Sequence, residues 1–348
     1  MFVTYRQKCI NLLLKTLACS LVFSSSVVLA ESSTAIAFGD PDVTVNMDDK
    51  WLAQELKHDK KLAAADLVVS LGQITYPALH KYVEEYALRK GLNIVVQPGS
   101  CGVSAKKLSA KLINVGGYCC PPAKTDRLPG IEFHTLGISP IALITHSSNQ
   151  LKGLSLEEAR KIFGGDTVNW SEVAVENEIQ LPQKNIQPVV RLHCKKRPGH
   201  WRHLLDSDDK FSAHIREVGV IPDMVKEVAE THNAIGYETV FMLEVYKKNG
   251  EVNILTVDNQ HPSDLKHLLL ASYPFYRVFN LTTWAGDERS NRLSRELVAS
   301  IKKHIEVEGY KYEMIASNQL RQAGWKFKGD ELIAEPDGKD VFNEHNQQ

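Results

Sequence analysis

Once a leader segment is set aside, four cysteines stand out for chemistry: Cys101, Cys119, Cys120 and Cys194. Thiolates bind soft metals, and the imidazoles of His193 and His200 beside Cys194 would suit zinc or copper. In an oxidising compartment the first expectation is instead two disulfides, with three possible connectivities. A bridge between Cys119 and Cys120 would demand an unfavourable vicinal geometry, because disulfides fix their Cα separation and dihedral narrowly. Their spacing does not decide the matter: no C-x-x-C pair is present, nor the C-x-x-C-H of haem attachment. Arg191 precedes the group, and Lys195-Lys196-Arg197 after it reads as an exposed basic turn.

Several function classes are disfavoured. The 348 residues carry 41 Lys and Arg against 42 Asp and Glu, a formal charge of -1, so nucleic acid is not an expected partner. There is no G-x-S-x-G turn, no H-E-x-x-H and no phosphate-binding P-loop, so neither an enzyme nor a cofactor is expected. Residues 1–30 have the form of a cleaved export signal: basic Arg6, Lys8 and Lys15, an apolar run from Thr16 to Phe23, and the small-residue end Val28-Leu29-Ala30. The apolar stretch is too short to span a membrane comfortably. Export to the periplasm follows, and cleavage would remove Cys9 and Cys19.

The elements that must position the cysteines alternate short apolar runs with helical periodicity, an α/β pattern. Leu67 to Leu71 predicts a strand feeding a helix capped by Thr75, with Pro77 in its first turn and Gly91 at its end. Leu92 to Val96 predicts a second strand, followed by the loop Pro98 to Gly102 and a helix over 104–113. Ile138 to Thr145 reads as a strand buried on both faces, Ser155 to Glu158 as a capping box, and Val189 to Leu192 as a short strand. A helical stretch is expected over 200–205 and a long amphipathic helix around Leu293 to Ile305. At least three loops deliver a helix N-terminus directly after a strand. Such ends offer unpaired N–H groups and about half a positive charge, and so bind anions.

Five segments in order then resemble the landmarks of periplasmic phosphate-binding proteins, the solute receptors of ABC-type phosphate importers. They are Leu71 to Pro77, Pro98 to Gly102, Leu154 to Trp170, Ala234 to Tyr237 and Tyr273 to Arg277. The resemblance implies a type II periplasmic-binding-protein fold: two α/β lobes, a ligand cleft, two crossover connections and hinge closure. Residues 64–143 and 273–330 would form lobe 1 and residues 144–272 lobe 2, with an extension over 31–63 and a polar tail over 331–348. It further implies a monomer that captures a small inorganic anion, a phosphate-like oxyanion, and passes it to ABC transporter membrane subunits or a sensor. The ligand residues carried over are Thr75, Tyr76, Ser100 and Arg191, with the backbone of Gly99 to Gly102 and of Gly199 and His200 expected to act beside them.

Against that pattern Cys119 stands where the family has an acidic group, Cys101 replaces a small residue beside Ser100, and Cys194 opens the loop that should carry a D-G-S-G-T run. All four cysteines thus fall on ligand-loop positions. With Cys194 on the opposite lobe, two complete disulfides would require one bond across the cleft. The alternative is that Cys101, Cys119, Cys120, Cys194 and His193 bind a soft metal, metalloid or cofactor on the same scaffold.

Overall fold

The structure, a computed structural model, describes residues 38–173, 181 and 184–337. The expected leader over 1–30 and the end of the chain from residue 338 lie outside the described residues. No described helix is long and apolar enough to cross a membrane.

Strand β1 (Leu67–Leu71) is buried at every residue, as a strand flanked on both sides must be. It pairs in parallel with β2 (Ile94–Pro98) and β3 (Val115–Tyr118). The long β4 (Ile131–His146) follows, then β5 (Gly153–Leu154), β6 (Gln187–Val190), β7 (Arg216–Glu217), β8 (Ala234–Thr239), β9 (Val252–Val257) and β10 (Tyr276–Trp284). Short β11 (Ile315–Ala316) and the hairpin β12 (Lys326–Lys328) and β13 (Glu331–Ala334) complete the set. The main path of the large sheet is β2-β1-β3-β10-β4-β8-β6-β7. Helices of nine residues or more are α1 (Thr75–Lys90), α2 (Cys101–Ser109), α3 (Leu156–Gly164), α4 (Ile221–Glu230) and α5 (Arg289–Glu308).

β4 joins two hydrophobic cores. Its first part, Ile131 to Pro140, pairs antiparallel with β10, and Ile141 to Thr145 then pairs antiparallel with β8. One core gathers around β1, β3 and α5, with Val68, Val115, Phe279 and Leu297; the other gathers around β6, β8 and β9, with Val190, Tyr237 and Leu255. Only Ile138 to Thr145 was expected as strand. The preceding Ile-Glu-Phe-His alternation belongs to the same element, because its Glu132 and His134 lie on the less buried face.

Several local expectations need correction. Thr75 is the first residue of α1 rather than its cap; Ile74 occupies the cap, and Thr75 Oγ1 donates back to the Gly72 carbonyl at 3.4 Å. Helix α2 begins at Cys101, three residues early, because Ser100 is extended (φ -131, ψ 168) and its Oγ accepts from the Val103 N–H at 3.3 Å. Residues 200–203 form a 3-10 turn rather than an α-helix. The capping box at Ser155 and Glu158 is present, and Gly165 (φ 90) closes α3.

Neither end behaves as a loose tail within the described residues. Trp51 donates from its indole to the Ser109 carbonyl at 2.6 Å, and Lys111 reaches back to the Gln54 carbonyl at 2.6 Å. At the other end the expected tail from 331 starts inside the β12–β13 hairpin, where Leu332 is buried and Glu331 meets Arg127 in a two-point salt bridge. The apolar Leu332-Ile333 pair within a polar run carries that order.

Candidate functional site

The carboxyl ends of β1, β2, β3 and β6 open onto one cavity of about 300 Å³. Gln73 and Ile74 come from the loop after β1, Ser100, Cys101 and Gly102 from the start of α2, Cys119 from the residue after β3, and Arg191, His193, Cys194 and Arg197 from the loop after β6. Ligand crevices in α/β sheets lie at this edge because the strand-to-helix turns leave backbone donors free there.

Of the residues expected at the site, Ser100, Cys101, Gly102, Cys119, Arg191, His193 and Cys194 line the cavity. Thr75 and Tyr76 do not. Thr75 is buried with its hydroxyl spent on Gly72, and the Tyr76 ring stacks on His80 with centroids 4.7 Å apart. Gly99 lies outside the lining; a Cβ there would come within 3.2 Å of Ser70 Oγ and of the Val103 side chain. Gly199 (φ 77) turns the chain so that His200 is fully buried, stacked on His193 at 4.8 Å. Cys120 is also buried and belongs to the thiol cluster rather than to the lining.

The four cysteines meet. Cys101 and Cys119 Sγ are 3.1 Å apart and Cys120 Sγ is 4.0 Å from Cys101 Sγ. Cys194 and His200 offer ligand atoms within 4.8 Å of that of Cys120. All four sulfurs are free thiols, so the expected disulfide pairs are not formed in this structure. Hydrogen bonding from Cys101, then from Cys120 and Cys194, holds the Cys119 thiol well below the ordinary cysteine range, against the effect of burial. Cys101 is pushed well up by the same contact with Cys119, and Cys120 is pushed well up by burial. Cys194 is lowered, with Cys101 again the largest cause. Four adjacent thiols cannot all ionise, and the cluster divides into donors and thiolates.

Arginine dominates the polar side. Arg191 Nη2 donates to Glu238 Oε2 at 3.1 Å and Nη1 to Gln73 Oε1 at 3.3 Å, while its Nε has no partner. Burial raises the Glu238 carboxyl, but Arg191 and Arg277 outweigh it and the net direction is down. Arg277, on β10 and fully buried, donates from Nη1 to Cys119 Sγ at 3.4 Å and to His193 Nε2 at 3.3 Å. Its Nε and Nη2 have no hydrogen-bond partner. His193 Nδ1 donates to the Arg191 carbonyl at 2.9 Å, which leaves Nε2 to accept from Arg277, and burial pushes this imidazole down to about 4. Arg197 is not in an exposed turn: it is buried and grips Asp126 through Nε and Nη2, with Nε to Oδ2 at 2.8 Å. Lys195 does face solvent, paired with Asp208.

Gln73, Arg277, Glu238 and the Asp126–Arg197 pair escaped the sequence reading. Two of them left a signal. Arg277 sits in a nine-residue strand and Glu238 in a six-residue strand, each buried at every position, and a lone charge within an apolar run needs a buried partner.

No protein-family model matches the chain, and no curated protein matches it. Solved structures do. An ABC-type phosphate transport receptor from Vibrio cholerae is 15% identical with a TM-score of 0.53, over 72% of this chain and 99% of that one. A protein from Clostridium perfringens described as a phosphate ABC transporter substrate-binding protein with bound phosphate is 18% identical with a TM-score of 0.56, over 72% and 98%. The chain has the type II periplasmic-binding fold.

Proposed function

We propose that the protein is a solute-binding protein that captures a small oxyanion, phosphate-like in shape and charge, in the cavity at the strand ends. One observation carries the reading: residues as distant in sequence as Gln73, Ser100 and Arg191 line one cavity, and the start of α2 lies beside a guanidinium. Three buried arginines surround it: Arg191 and Arg197 pair with Glu238 and Asp126, and Arg277 donates to Cys119, so the anion would be held by directed donors rather than by a surplus of positive charge. Arg191 supplies charge-assisted hydrogen bonds, and the Ser100–Gly102 turn supplies backbone N–H groups at a helix N-terminus.

The similarity in fold to phosphate receptors supports the same reading. In it, residues 64–143 with 273–330 and residues 144–272 act as lobes, and the exported chain works as a monomer in the periplasm. It hands its anion to ABC transporter membrane subunits or to a sensor, and performs no catalysis. The test is thermal melting against phosphate, arsenate, sulfate and molybdate. A ligand at about 100 times its Kd adds about 2.7 kcal/mol and raises Tm by several degrees. A rise with a tetrahedral oxyanion that disappears in Arg191→Gln is expected; flat melting curves with the whole panel at millimolar concentration would refute the reading.

A further inference from the structure

The thiol cluster carries more than an anion pocket requires. We propose that Cys101, Cys119, Cys120 and Cys194 form a four-thiolate site for a single thiophilic divalent cation of the zinc class. The inference goes beyond the anion reading and does not depend on it.

Geometry comes first. Tetrahedral coordination at a metal–sulfur distance of 2.3 Å places sulfurs about 3.8 Å apart. The Cys101–Cys119 and Cys101–Cys120 separations, 3.1 and 4.0 Å, bracket that value, and the Cys194 sulfur lies within 4.8 Å of that of Cys120. Tetrahedral S4 sets select zinc or iron–sulfur chemistry among biological metals. Two hydrogen bonds already point at the sulfurs: the Cys119 N–H donates to Cys101 Sγ at 3.2 Å, and Arg277 Nη1 donates to Cys119 Sγ. Such donors steady metal-bound thiolates.

Charge is the second observation. A divalent ion with four thiolates carries a net charge of -2, and a buried site needs compensation. Arg277 is fully buried, and two of its nitrogens are without partners. Arg191 and Arg197 are already matched by Glu238 and Asp126, which leaves Arg277 to offset one of the two negative charges. Binding is not a redox step: the cation takes a lone pair from each sulfur, and the thiols still protonated release their protons to solvent.

His200 is within reach of Cys120 and Cys194 but is the weaker ligand. The Trp201 N–H donates to its Nδ1 at 2.6 Å, so in the neutral ring the proton sits on Nε2. The loop residues Cys194 (φ 58) and His200 (φ 45) hold left-handed backbone conformations, which cost energy in non-glycine residues. Cys194 comes from the loop after β6, whereas the other three sulfurs come from the segments after β2 and β3.

The experiment titrates Co2+ into the full chain, reduced, anaerobic and in phosphate-free buffer. Expected is one equivalent bound, with the intense visible bands of tetrahedral cobalt thiolate, displaced by Zn2+. Each single Cys→Ser variant should weaken binding at least tenfold and shift the bands. A pale octahedral spectrum, no binding by protein in which Cys101, Cys119, Cys120 and Cys194 are all shown to be reduced, or Cys→Ser variants that bind as well as the parent would overturn the proposal. So would disulfides that resist reduction in the folded chain. Where a variant fails to fold, 113Cd resonance on the unaltered protein counts the sulfurs: a four-sulfur shift supports the site, and an oxygen- or nitrogen-dominated shift overturns it. Phosphate titrated separately into metal-free protein tests the anion reading, so the two can fail independently.

Discussion

The two rims of the cavity do the same job by different physical means. On one side Ser100 caps α2 and presents Cys101 and Gly102 through a regular strand-to-helix turn, held by one side-chain-to-backbone bond. On the other, the stretch from Arg191 to His200 has no regular structure until its final 3-10 turn. It is pinned by the buried pairs Arg191–Glu238 and Arg197–Asp126, by the Trp201 indole donating to the His193 carbonyl at 2.8 Å, and by left-handed backbone at Cys194, Gly199 and His200. A regular turn is cheap to form and tolerant of change. An irregular rim built on buried charge is costly to hold, and loss of one partner strands the other.

The largest effect should come from breaking that charge. Glu238→Gln leaves Arg191 buried without its carboxylate, and urea unfolding should show a loss of about 3–5 kcal/mol. A loss below about 1 kcal/mol would erase the contrast between the rims. Next, Arg191→Gln should weaken phosphate binding about 100-fold by calorimetry, since hydrogen bonds to charged groups contribute about 1.5–3 kcal/mol; unchanged affinity would move the anion away from this rim. Within the thiol cluster, Cys194 is partly exposed and lowered, whereas Cys101 and Cys120 are buried and raised. Brief iodoacetamide treatment of the native reduced protein, followed by peptide mapping, should label Cys194 at least about ten times faster than either. The smallest effect is on the regular rim: Ser100→Ala should cost about 1 kcal/mol, the value of an N-cap. A cost equal to that of Glu238→Gln would show that the two rims are held alike.

The regular rim was legible because capping and periodicity are local. Leu67–Leu71, the α1 periodicity and the Ser155–Glu158 box lie where the sequence pattern places them. Ser100 was marked too, although its helix starts three residues earlier than the apolar spacing suggests, since the cap and not the first apolar residue sets a helix start. The irregular rim was legible only in part. Arg191 and Cys194 were named, but Arg197 read as a surface turn because its partner Asp126 is 71 residues away. Thr75 and Tyr76 were named and lie off the cavity, because a turn's hydroxyl and ring can each be satisfied locally.

The sequence by itself determined the alternation of strand and helix, the loops that end in helix N-termini, and the presence of Cys101, Cys119, Cys120 and Cys194. These follow from hydrophobic period, caps and residue counts, all short-range properties. Only the tertiary structure decided that the thiols converge, that Arg277 lies fully buried against one of them, and that Glu238 and Asp126 take up the other two guanidinium groups. Those outcomes depend on strand order and on β4 running through both cores, and such long-range pairings leave no period in the chain to read.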